Sequence, residues 1–162
     1  MILAARGANI FPAPNEVWSY GPEAQEILVA HVRLRERLRP YLRELFREAS
    51  ETGAPLMRPM FWHAPDDPDC RNLADQYFFG RDLLVAPILE PGARARTVRL
   101  PAGDRWTDAR TGEALDGGRA VDAPAPLSSI PVFVRAGASA ALTGVFPGAT
   151  TDRPRRPPLG SG

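Results

Sequence analysis

Cysteine, lysine, histidine and long apolar runs are what this chain has least of. A single cysteine, Cys70, permits no intrachain disulfide, and neither of the two histidines stands at metal-ligand spacing from a thiol or a second imidazole. That excludes a disulfide scaffold and a structural zinc, and no metal or cofactor is expected. No stretch approaches the roughly 20 apolar residues of a membrane span, and the start lacks the basic, then apolar, run of a signal peptide. The expected location is therefore cytoplasmic, with no membrane partner. Lysine is missing altogether: the 20 basic residues are all arginine, set against 19 acidic ones for a net charge of +1. No field of one sign is available to steer nucleic acid, so a nucleic-acid partner is not expected either. Arginine throughout, with 18 prolines and 14 glycines, is what a GC-rich genome produces without selection for function.

What is present falls into two grammars that meet at a joint, Gly53 to Glu90. Before the joint, residues 6–16 carry Gly, Asn and spaced prolines and read as an extended loop, and the apolar opening ahead of it reads as the tail of a longer chain. Pro22, with Glu23 and Glu26 behind it, is a good helix start. From Pro22 to about Thr52, Ile27, Leu28, His31, Leu34, Leu38, Leu42, Leu45, Phe46 and Ala49 recur at three- and four-residue steps, with arginines and glutamates on the other faces. The helix should kink or split at Pro40 and end at Gly53 in a left-handed cap. His31 reads as a satisfied core histidine, and the interleaved charges read as a solvated face.

Within the joint, the apolar runs Leu56 to Trp62 and Leu83 to Leu89 are too short for periodicity to separate strand from helix, but Pro and Gly bracket both, which favours strand. Between them lies the acidic loop His63-Ala-Pro-Asp66-Asp67-Pro68-Asp69. Three carboxylates this close could serve a metal or acid/base chemistry, yet Asp beside Pro is ordinary turn and N-cap chemistry, and that reading is preferred. A short helix is expected from Asp69 through Phe78.

Beyond Pro91 short strands alternate with Pro/Gly turns at roughly ten-residue spacing: Thr97 to Leu100, Trp106 to Asp108, Ala120 to Asp122 and Ile130 to Arg135. That spacing argues for a small antiparallel sandwich with Val98, Leu100, Trp106, Leu127, Ile130, Val132 and Val134 in its core. From Gly148 to Gly162 no apolar face remains, and a disordered tail is expected.

Several blocks together carry a resemblance: Leu34-Arg-Glu-Arg-Leu-Arg-Pro40-Tyr-Leu42, Gly53-Ala-Pro-Leu-Met-Arg58-Pro-Met-Phe61, Asp66-Asp-Pro68, Asp75-Gln-Tyr-Phe-Phe-Gly80-Arg-Asp-Leu-Leu-Val-Ala-Pro87, Leu100-Pro-Ala-Gly103, Trp106-Thr-Asp108, and Ile130-Pro-Val-Phe-Val-Arg-Ala-Gly137. In this order and spacing, from about residue 4 to residue 140, the chain resembles glycoside hydrolase family 31, retaining α-glycosidases such as α-glucosidases and α-xylosidases. The resemblance implies a fold of mixed class, α/β plus all-β: residues 1–82 would be the last part of a (β/α)8 barrel, residues 83–147 a proximal C-terminal β-sandwich, and 148–162 the tail. It also implies a substrate, an α-linked oligosaccharide or glycoside bound by the full-length parent. In the family both catalytic aspartates lie on barrel strands ahead of the block with which this chain begins, so neither maps onto a residue here and the chain alone should be inactive. It could still associate with a separately encoded N-terminal part. A substrate-contacting His of the family falls at Arg6, in Ala4-Ala5-Arg6-Gly7. The alternative is a non-catalytic carbohydrate-binding or interaction sandwich with Trp106 as an exposed platform. A buried Trp106 favours the glycosidase piece, and a surface one favours the binding module.

Overall fold

The computed structural model describes residues 16–148. Arg6 and the tail beyond Gly148 lie outside the described residues. The chain divides into two units, one up to Glu36 and one from Arg37.

In the first unit a 3-10 turn, Val17–Tyr20, precedes helix α1, Pro22–Arg37, which starts on the expected proline with Glu23 in its first turn. His31 is half-buried and satisfied within the helix, its Nδ1 lying 2.8 Å from the Ile27 carbonyl oxygen.

Helix α2 runs Arg39–Thr52, so the long helical pattern does split, at Leu38, with Pro40 in the first turn of the second helix where its missing N–H costs nothing. Gly53 closes α2 at φ +75°, its amide donating to the Ala49 carbonyl. Tyr41 and Leu45 are the buried face of α2. The Tyr41 hydroxyl donates to the Phe79 carbonyl (3.1 Å) and accepts from the Asp82 amide (3.2 Å). Gly80, at φ +64°, lies directly beneath: a Cβ there would meet the Tyr41 hydroxyl and come within 2.5 Å of Leu45 Cδ2.

Eight short strands follow: β1 Met57–Pro59, β2 Tyr77–Phe79, β3 Leu83–Val85, β4 Ala95–Leu100, β5 Arg105–Asp108, β6 Ala114–Asp116, β7 Arg119–Pro124 and β8 Val132–Arg135. Six form one sheet in the order β1-β2-β3-β8-β5-β6, and β4 with β7 forms a two-stranded ribbon; every pairing is antiparallel. One cluster joins the two layers, with Val98, Leu100 and Ala123 of the ribbon packed among Phe78, Leu84, Trp106, Leu115 and Phe133 of the sheet. This is the small antiparallel sandwich that the turn spacing predicted. Gln76 welds the layers: its side-chain amide donates to the Arg99 carbonyl (2.7 Å) and accepts from the Arg99 amide (2.9 Å), standing in for a strand partner on the backbone of β4.

Several expectations need correction. The helix expected from Asp69 through Phe78 is only the four residues of α3, Pro68–Arg71, and Tyr77–Phe79 is a strand. Phe78 pairs with Arg58 of β1 and Leu84 of β3, and that tertiary pairing outweighs local helix preference. The run from Leu56 to Trp62 is a strand only as far as Pro59, which cannot extend the ladder, and Met60–Trp62 turns as 3-10 helix. The run from Leu83 is a strand only as far as Val85, and Pro87 stands two residues beyond. Leu127 and Ile130, expected in the core, are 59% and 46% exposed, because the segment between β7 and β8 is a proline-flanked surface loop. A boundary between residues 82 and 83 would cut β2 from β3, which pair directly, so the sheet begins at β1. Gly148, expected to open the tail, donates its amide to the Ala109 carbonyl.

Candidate functional site

The residues that the sequence singles out do not converge. Arg6 lies outside the described residues, and the acidic loop and Trp106 have separate structural tasks.

Asp67 is the N-cap of α3 and accepts from the Asp69 amide at 3.1 Å. Both its oxygens also face Arg99 Nη2 at 3.3 Å, and Asp69 holds the other terminal nitrogen of Arg99 at 3.0 Å. Burial alone would raise the Asp67 carboxyl, but the Arg99 hydrogen bonds and the Asp69 amide outweigh it and hold the group below the usual carboxylate range. A carboxylate so committed is cap and clamp, not a general acid. The described residues include no group of three or more His, Cys, Asp or Glu side chains arranged to hold a metal ion. Cys70, on α3, is buried and its thiol is pushed up to about 11, chiefly by burial and then by Asp67, so it is protonated and unreactive at neutral pH.

Trp106 is 0% exposed. Its ring lies 5.9 Å from Phe78, the Arg135 guanidinium sits 5.4 Å over it, and its Nε1 points to the Pro101 carbonyl at 3.4 Å. It cannot serve as a sugar platform, so the binding-module alternative loses the residue on which it rested.

A third cluster was not legible in the sequence. Arg58 of β1 is 2% exposed, yet all three of its guanidinium nitrogens are engaged: Nε donates to the Pro55 carbonyl (2.8 Å), Nη1 to His63 Nε2 (3.0 Å), and Nη2 pairs with Glu48 of α2 (2.8 Å). A charge buried this far is tolerated only with such partners. The one available signal was Arg58 itself, a charged residue inside an apolar run. Glu48 looked like part of a solvated helix face.

Several other carboxylates near the sandwich are also tied to structural partners. Asp75 pairs with Arg96 at 2.6 Å, and Asp104 with Arg135 at 3.4 Å. Asp82 accepts from the Ser139 amide at 3.2 Å, and the Ser139 hydroxyl donates to Glu44 at 2.6 Å. Asp108 accepts from the turn amides of Arg110 and Thr111. No helix among the described residues is long and apolar enough to cross a membrane.

Comparison with known proteins places this architecture. Residues 53–138 match the glycosyl hydrolase family 31 C-terminal domain. The chain is 41% identical over 127 residues to alpha-glucosidase 2 of Bacillus thermoamyloliquefaciens, covering 78% of this chain and 16% of that protein. It is 38% identical over 143 residues to an alpha-xylosidase of Saccharolobus solfataricus, covering 88% of this chain and 19% of the relative. Among solved structures, a family 31 alpha-xylosidase from a soil metagenome, complexed with xylose, superposes with a TM-score of 0.77 at 49% identity, covering 80% of this chain and 19% of the other. The chain thus spans less than a fifth of the length of each of these proteins.

Proposed function

The chain belongs to glycoside hydrolase family 31, and from that premise we propose that it is the C-terminal piece of a retaining α-glycosidase acting on an α-linked glycoside, α-xylosides and α-glucosides being the first substrates to try. The observation that carries this reading is the match of residues 53–138 to the domain that closes far longer enzymes. In this reading the helices before residue 53 are the end of the catalytic barrel, and β1 to β8 form the sandwich that follows it. The expected boundary at residue 82 gives way to one near 53 because β1 and β2 hydrogen-bond into the sandwich sheet. Arg6 is proposed to stand where the family has a substrate-contacting histidine. The piece acts in the cytoplasm, where a free buried thiol such as Cys70 stays reduced, and associates with a separately encoded N-terminal part.

Alone, the chain does not catalyse hydrolysis. A retaining glycosidase needs a nucleophilic carboxylate and an acid/base carboxylate about 5 to 5.5 Å apart across the scissile bond, on loops from several barrel strands. Asp67, Asp69, Asp75 and Asp82 are instead occupied as cap, clamp, ion pair and amide acceptor. The test is an assay of the purified chain against aryl α-xyloside and aryl α-glucoside, where no turnover above the buffer control is expected. Turnover that disappears when any aspartate of this chain is replaced by asparagine would overturn the reading.

A further inference from the structure

We propose that His63 is an acid-sensitive latch: neutral, it closes the loop from His63 to Pro68 onto the sheet through Arg58, and on protonation it lets that loop go. The argument starts from donor and acceptor chemistry. Arg58 has only donors to offer, so the 3.0 Å contact between its Nη1 and His63 Nε2 requires an unprotonated Nε2, with the imidazole proton on Nδ1. The ring is further fixed edge-on to Phe78, with centroids 5.0 Å apart at an interplanar angle of 81°. Placing a proton on Nε2 turns the acceptor into a second donor facing a buried guanidinium, and the contact cannot survive.

The charges around the ring work in the same direction. Arg58 of β1 and Arg135 of β8 face it as cations, and Glu48 of α2 faces it as the one anion on those elements, already spent on Arg58. Arg135 itself lies 5.6 Å over the Phe78 ring and pairs with Asp104. Burial first, and then the two arginines, lower the imidazole from its ordinary 6.5; Glu48 and a hydrogen bond with the Gly80 backbone oppose them with less effect. His63 also borders a cavity of about 420 Å3 that Asp66, Asp67 and Arg99 line. Asp67 is held by Arg99, which leaves the Asp66 carboxylate as the acceptor toward which a protonated ring can turn. The Arg58 contact thus favours a neutral ring and the Asp66 carboxylate a charged one, which is what a pH-driven device needs.

The sign follows from linkage. The latched state holds the proton less tightly than the released state, so latching is fully favourable above about pH 6.5 and weakens as pH falls from there to the depressed value, by up to about tenfold in the closing equilibrium per pH unit. Long-range 1H–15N spectra of the whole chain, recorded from pH 8 to pH 4.5, test this, with His63 distinguished from His31 by a His63→Gln variant. Three results are expected: an Nδ1–H tautomer at pH 8, a titration midpoint below 6.5, and amides of residues 63–68 shifting with that same midpoint. The shift should vanish in His63→Gln, whose side-chain oxygen accepts from Arg58 at every pH. An Nε2–H tautomer, a midpoint at or above 6.5, loop amides that ignore the titration, or an unchanged transition in the variant would each overturn the proposal. Should the variant fail to fold, tautomer, midpoint and loop shifts in the natural chain decide alone.

Discussion

Replacing Trp106 by alanine separates a core indole from a surface one. Trp106 is fully buried, is flanked by Phe78 and Arg135, and belongs to the cluster that joins the ribbon to the six-stranded sheet. Truncating a buried Trp costs about 3 to 5 kcal/mol in lost transfer energy and residual cavity. The Nε1 contact with Pro101, at 3.4 Å, is too long to add much. For the unit from Arg37 to Gly162 the unfolding entropy gives roughly 4 °C per kcal/mol, so the midpoint should fall by about 12 to 20 °C. With a total stability of about 5 to 15 kcal/mol, the variant sits near the edge of folding. Thermal melts followed by circular dichroism, on the chain and on Trp106→Ala, measure the loss. Fluorescence gives an independent check, because Trp18 and Trp62, at 68% and 46% exposure, can be replaced by Phe to leave Trp106 as the sole indole. Its emission should be blue-shifted and resist acrylamide. A melting point within about 2 °C of the unaltered chain, the range of an ordinary surface substitution, together with a readily quenched indole, would refute the core assignment and restore the platform.

Three further outcomes are expected. Gly80→Ala should destabilise by about 2 to 5 kcal/mol in urea melts, since the Cβ combines a left-handed backbone with overpacking against Tyr41 and Leu45, whereas Tyr41→Phe should cost only about 1 to 2 kcal/mol for its two hydrogen bonds. Asp67→Asn should lose up to about 1 kcal/mol at pH 7 through the lost Arg99 pair, since Asn caps a helix about as well as Asp. Because the folded Asp67 carboxyl is depressed, its contribution is present above about pH 3.9 and declines as pH falls through the folded value; a variant equally sensitive in that range would remove Asp67 as the cause. Amide hydrogen exchange should be slowest between residues 83 and 136, above all in β3 and β8 at the middle of the sheet, and fast at Asp66. Slowest exchange in α1 or α2 would mean that the helices, not the sandwich, hold the most stable core.

Punctuation and periodicity carried the readable part of the fold. Pro22, the split near Pro40, the Gly53 cap and the Asp67 cap each follow from one residue's local chemistry, and the structure has all four. The alternation of Thr97 to Leu100 likewise survives as the buried Val98 and Leu100. Three-residue strands such as β1 and β2 carry no period, so nothing local could reveal that they join the sheet or that Phe78 pairs instead of coiling. Leu127 and Ile130 misled because apolarity alone does not say which side of a proline-bounded loop faces the core. The Arg58, His63 and Glu48 cluster was invisible for a different reason: its members come from a strand, a turn and a helix, and only the fold gives them a common address.

The place of β8 in the sheet has a kinetic consequence. Phe79 meets Leu83 across a tight turn, whereas Leu83 meets Val134, about 50 residues away, and β8 is also the strand through which β5 and β6 are attached. Loop closure costs about 0.6 kcal/mol more for each doubling of length, which puts the β3–β8 pairing about 2 kcal/mol behind the β2–β3 hairpin before any contact repays it. The hairpins β1–β2–β3 and β5–β6 can therefore form within their own segments and wait, and the rate of reaching the native state is set by the arrival of Val132–Arg135 between them. A nascent chain released before Val132 would hold the two halves of the six-stranded sheet unjoined, with open strand edges, the species most prone to pair with another molecule.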